Sequence, residues 1–176
     1  MLTSLVNKSW GHSSVGRTPV LLDRLVAIII MMETKHIGNL TELQCMTRLY
    51  EIGCAISIPY GDSEKYDFII DVKGNLYRLQ CKHANPQYNE NGEIASIKIK
   101  TNWQTGFTKN NSPAHHKYTK EDCDYFVTFY EGKTYLIPVN ECSLEKILRI
   151  LPPKNGQKKG ISFLKDYVDE EVLKSL

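Results

Sequence analysis

The sequence contains no apolar run long enough to cross a bilayer, which takes roughly 20 residues. Its most apolar stretch, residues 20–32, is broken by Asp23 and Arg24 and is followed by no small-residue cleavage site, so neither a membrane anchor nor a secretory leader is expected. Cysteine is sparse and unpatterned. Cys45, Cys54, Cys81, Cys123 and Cys142 are odd in number and form no C-x-x-C pair, which argues against a disulfide framework or a zinc knuckle. Reduced thiols in a cytoplasmic compartment, bacterial, phage or comparable, are the expectation. His115 and His116 with Cys123 lack zinc-ligand spacing as well. Repeats and low-complexity tracts are missing, and net charge is low: +2 over 176 residues permits a nucleic-acid partner without demanding one. The composition, 41% hydrophobic and 24% charged, is that of a globular chain, and the length suits one domain with a real core.

What the sequence does have is a patterned hairpin from Tyr66 to Lys82. Phe68, Ile70 and Val72 alternate with Asp67, Ile69 and Asp71, a Lys-Gly-Asn turn follows, and Tyr77, Leu79 and Cys81 then alternate with Arg78, Gln80 and Lys82. A turn at Lys73-Gly74 sets Asp67 opposite Gln80; a turn at Gly74-Asn75 sets it opposite Lys82. Directly paired side chains are about 5 Å apart and diagonal ones about 7 to 8 Å. Either register therefore gathers a carboxylate, an amide and an ammonium on one patch. A solvated hairpin face collects the same residue types, so spacing alone leaves both readings standing.

Along the rest of the chain, residues 1–32 read as an extension, either a short packing helix or sequence upstream of a natural start at Met31 or Met32. Residues 36–53 have helical spacing, with Leu40, Leu43 and Tyr50 expected to face the sheet and Glu42 at the border of that stripe. A short strand over 54–59 precedes the hairpin. Residues 83–91 read as a loop, and 93–100 as a strand whose phase slips at Ala95 and whose outer face carries Lys98 and Lys100. The stretch 101–119 shows no period and reads as a long loop, in which Trp103, Lys109 and Lys117 suit stacking and phosphate contact. A second hairpin is expected over 124–138. Ser143 is expected to cap a helix over 144–151, and the basic linker 154–160 leads to a C-terminal strand or turn and helix.

The order of these parts resembles the PD-(D/E)XK nuclease superfamily, closest to its group of group I intron-encoded homing endonucleases. The residues that carry the resemblance are Gly38 to Glu42, Ile58 to Asp62, Lys65-Tyr66-Asp67, Leu79-Gln80-Cys81-Lys82, and a later run from Lys117 to Val139. The resemblance implies an α/β, restriction-endonuclease-like core over residues 33–142, a central mixed β-sheet flanked by helices, followed by a helical segment over 143–176. It implies a Mg2+-dependent DNA endonuclease, Mn2+ being a substitute ion. Asp67, Gln80 and Glu42 would hold the metal, and Lys82 would assist the attacking water. Gln80 departs from the usual Asp or Glu: an amide oxygen ligates a hard cation but brings no charge. Lys98, Lys100, Trp103, Lys109 and Lys117 would grip double-stranded DNA, and a homodimer or homotetramer would serve to cut both strands. The neutral Gln80 keeps a second reading open, a nucleic-acid-binding module that kept the fold without catalysis. A third, a structural protein with a merely solvated hairpin, is excluded by neither spacing nor composition.

Overall fold

The computed structural model describes residues 19–61, 63–107, 113–153, 156–157 and 159–176, with side chains from residue 33 onward except that of Phe107. Lys109, Asp62 and part of the basic linker lie outside the described residues. The chain divides into two compact units, Met1–Thr34 and Lys35–Leu176, and the second holds every strand found among the described residues. Helix α1 is Pro19–Glu51.

Five strands make the central sheet: β1 (Ala55–Ser57), β2 (Phe68–Val72), β3 (Asn75–Cys81), β8 (Tyr125–Tyr130) and β9 (Lys133–Pro138), side by side in that order. The sheet is mixed because β3 and β8 run parallel while the other pairs are antiparallel. Both hairpins close through two residues with positive φ, Lys73 (54°) with Gly74 (87°) and Glu131 (48°) with Gly132 (77°). That backbone twist matches the twist of paired strands, which is why short loops use it. The first turn fixes the register Val72 opposite Asn75 and Phe68 opposite Leu79, the one that sets Asp67 against Gln80.

The alternation in these strands sorts side chains to two cores. Phe68, Ile70, Val72, Leu79, Val127 and Leu136 face one side, where Cys45 and Leu49 of α1 cover them. Phe126 and Ile137 face the other, against Ile97, Ile99 and Leu148 from a second, antiparallel sheet. That sheet runs β10 (Glu145–Arg149), β5 (Ile94–Lys100), β4 (Asn85–Tyr88). A two-stranded ribbon, β6 (Asn102–Phe107) with β7 (Pro113–Lys117), belongs to neither sheet. The chain ends in a 3₁₀ turn (Leu164–Tyr167) and helix α2 (Asp169–Ser175). Arg48 of α1 reaches Asp169 (3.4 Å) and Glu170 (2.9 Å), fastening this end to the α1 side.

Four sequence expectations are corrected. The helix face toward the sheet is Thr41, Cys45 and Leu49, while Leu40, Leu43 and Tyr50 are exposed. Both faces of this helix carry apolar residues, and the strands it meets decide which face is covered. Residues 144–151 hold a strand instead of a helix: Leu148 is fully buried and the backbone completes the free edge of β5. An isolated eight-residue helix is marginal in water, so the available ladder decides the conformation. The 83–91 loop contains β4, whose Pro86 is tolerated because β4 is an edge strand. The 101–119 loop is the β6–β7 ribbon. The phase slip at Ala95 is real: Gln87 pairs with Ser96 and Tyr88 with Ile94, leaving Ala95 as a bulge.

Candidate active site

Asp67 stands just before β2, tied to β3 by its own amide, which donates to Leu79 O at 2.8 Å. Its Oδ2 accepts two hydrogen bonds of 2.6 Å, one from the Cys81 amide and one from Gln80 Nε2. Among the described residues nothing donates to Oδ1. Because a carboxylate accepts from the Gln80 nitrogen, the amide is oriented with Oε1 away from Asp67, where the Tyr118 hydroxyl donates to it at 3.2 Å. Gln80 is buried, and Tyr118 is held edge-on against Phe126, ring centroids 5.3 Å apart. Lys82 lies on the same face of the strand, its Nζ 5.2 Å from the centre of the Tyr118 ring. Its amide donates to Val127 O at 2.9 Å, extending the parallel pairing of β3 and β8 and fixing the backbone from which the ammonium projects.

The electrostatics join these groups to α1. Burial raises the Asp67 pKa, opposed by the Cys81 amide, Lys82 and Gln80. Burial also raises Glu42, and the negative charge of Asp67 adds to that. Lys82 is lowered by burial, with Asp67 pulling the other way. The negative charge of Asp67 thus acts on Glu42 of α1, which it repels, and on Lys82, which it attracts. Two mutually repelling carboxylates, only partly offset by Lys82, are a setting for a hard cation. Three or more His, Cys, Asp or Glu side chains clustered for a metal are not found among the described residues.

The remaining sequence candidates lie elsewhere. Lys98 pairs with Glu145 at 3.4 Å on the second sheet, and Lys100 is exposed beside it. Lys117 is exposed on the ribbon. Trp103 is half-buried, with Lys65 Nζ 4.1 Å from its centroid and His116 stacked at 4.5 Å, so its ring serves packing. Sequence reading missed Tyr118 as a site residue, and also the link between Thr41 and His83. Thr41 Oγ1 donates its one proton to Ile37 O at 2.8 Å, so the 3.1 Å contact with His83 Nδ1 has the ring nitrogen as donor. That bond joins the residue before Glu42 to the residue after Lys82.

The sequence model of the PD-(D/E)XK endonucleases matches residues 32–170. The chain belongs to the PD-(D/E)XK endonuclease family. This endonuclease-family chain is also similar in structure to a bacterial homing endonuclease, I-Ssp6803I, with a TM-score of 0.63 and 19% identity over 81% of this chain and 94% of that one. The likeness establishes the restriction-endonuclease-like fold. No curated protein matches the sequence. Among the described residues, no helix of this family member is long and apolar enough to cross a membrane.

Proposed function

We propose that the protein is a DNA endonuclease that depends on a divalent cation, Mg2+ being the natural ion and Mn2+ a substitute. The observation that carries the reading is the meeting of Asp67, Gln80 and Lys82 on one strand face with Glu42 coupled to it from α1. The donor set fits the ion through its carboxylates: among the described residues nothing donates to Asp67 Oδ1, and burial together with the charge of Asp67 raises the Glu42 carboxylate, while Gln80 turns its nitrogen, not its oxygen, to Asp67 and so holds that carboxylate in place. When bound, such an ion stabilises charge on a scissile phosphate and lowers the pKa of a water.

The chain's own residues then do the following. The Cys81 amide and the Gln80 side chain clamp Asp67 Oδ2, so the carboxylate is oriented before any ligand arrives. Tyr118 prevents the Gln80 amide from flipping. Lys82 supplies a compact positive charge against the developing phosphate charge or the attacking water. Two copies acting together would cut both strands of a duplex, which is the reason to expect a homodimer or homotetramer on DNA.

Nicking of supercoiled plasmid tests the reading. Wild-type protein is expected to nick with Mg2+ and not with EDTA, and Asp67→Ala to abolish the nicking while the thermal transition remains. One observation favours a second reading, a module that binds nucleic acid without cutting: Gln80 brings no charge to the site. Plasmid binding with no nicking in either Mg2+ or Mn2+ would select it.

A further inference from the structure

The ribbon that the sequence reads as a loop has two unlike faces. Its register pairs Asn102 with Lys117, Trp103 with His116 and Gln104 with His115, so Asn102, Gln104, His115 and Lys117 share one face and Trp103, Thr105, Ala114 and His116 the other. Trp103 packs its face onto the core that contains Phe126 and Ile137, and Lys65, itself bound to Asp122 at 2.9 Å, caps the indole. The opposite face is polar and outward, with Gln104, His115 and Lys117 exposed. The described residues of the ribbon include no Asp or Glu.

The polar face is also ordered by its own bonds. Asn102 spends its amide nitrogen on Leu144 O (2.9 Å), which turns its Oδ1 toward His115 Nδ1 at 3.0 Å. A carbonyl oxygen only accepts, so Nδ1 carries the proton and the neutral ring presents Nε2 as an acceptor. The Gln104 amide touches the same Nδ1 only at 3.4 Å and remains open to a bidentate partner. Thr101, fully buried at the foot of β6, binds Leu144 O through its amide and Ser143 O through its hydroxyl, both at 3.0 Å, so the base of the ribbon is rigid.

We infer that the β6–β7 ribbon reads base edges in the major groove beside the cut, with Gln104 and His115 as the readers and Lys117 on a phosphate. The inference rests on the DNA-endonuclease reading above. Dimensions support it: a major groove about 12 Å wide admits a two-stranded ribbon, and six strand residues span about 20 Å. Chemistry supports it too. A Gln amide matches the N7 and N6 pair of adenine, and an imidazole acceptor matches the amino group of adenine or cytosine. The chain leaves Lys117 directly into Tyr118, which touches Gln80, so the bases read lie within about six base pairs of the scissile phosphate, at 3.4 Å per step.

The test is digestion, with Mg2+, of a plasmid pool carrying a randomised 20-base-pair segment, followed by sequencing of the ends. Wild type is expected to cut with a base preference. Gln104→Ala/His115→Ala is expected to keep cutting but to lose preference at one or two base pairs within six of the cut, by about five- to a hundredfold. Gln104→Glu should move the preferred base at one of those positions from adenine to cytosine, a gain that misfolding could not produce. Lys174→Ala, exposed on α2, should leave the preference pattern as it is. Unchanged preference in both Gln104 variants overturns the inference while leaving the endonuclease reading intact. A wild type that cuts nothing overturns that reading, and the inference with it.

Discussion

The Tyr118 hydroxyl donates to the side-chain oxygen of Gln80 across 3.2 Å, and Gln80 in turn donates to Asp67 at 2.6 Å. A phenol 38 residues further along the chain thereby decides which end of an amide faces Asp67. Tyr118→Phe keeps the ring against Phe126 and removes only this restraint. Metal affinity or turnover should fall about 10- to 100-fold, the usual range for a group that orients a ligand. Stability should fall by only about 1 kcal/mol, the net worth of one hydrogen bond. Single-turnover cleavage at varied Mg2+, alongside urea denaturation, measures both.

Gln80→Glu restores a carboxylate at the position where the superfamily usually has one, but places it within hydrogen-bond distance of Asp67 Oδ2. Without metal the variant should melt below wild type at neutral pH, because a second charge is confined beside the first. Added Mg2+ should raise its melting temperature more than it raises that of wild type, since stabilisation follows affinity. Thermal scans with and without the ion decide the matter.

The pH dependence has a definite sign. Asp67 and Glu42 have folded pKa values above their ordinary ones, so their contribution to stability is complete below about pH 4 and declines as pH rises through the folded values. Asp67→Asn removes one of the two. Relative to wild type, metal-free Asp67→Asn should become progressively more stable from pH 4 to pH 7, as followed by denaturant midpoints.

His83 runs the other way. Burial lowers its pKa, so its contribution is complete above its ordinary value near 6.5 and is lost as pH falls below it. Protonating Nε2 costs nothing in the Thr41 bond, which uses Nδ1–H. The titration of the His83 ring by NMR should therefore have a midpoint below 6.5, and Thr41→Val should leave a folded protein with a mobile ring.

These residues also show how much of the fold and site the sequence made readable. The sequence left two registers open for the first hairpin, and the structure takes the one closed at Lys73-Gly74, which brings Asp67 against Gln80. The bulge at Ala95 was visible as a break of phase. The inner face of α1 was not, since Leu40, Leu43 and Tyr50 offer as good a helical stripe as Thr41, Cys45 and Leu49. Only the partner surface distinguishes them. Leu49→Ala should accordingly cost about 2–5 kcal/mol, measured by chemical denaturation, whereas Leu43→Ala should cost little. Strands β4, β6, β7 and β10 were illegible for a related reason: each is a short segment whose hydrogen bonds are completed by a neighbour distant in sequence or by a fold-dependent turn.

The central claim is that Glu42 and Asp67 hold one divalent cation between α1 and the hairpin. Calorimetric titration with Mn2+ tests it most directly, on wild type, Glu42→Gln and Asp67→Ala. The account predicts one ion per chain for wild type, at least tenfold weaker binding for Glu42→Gln and none for Asp67→Ala. Undiminished binding in both variants would contradict it.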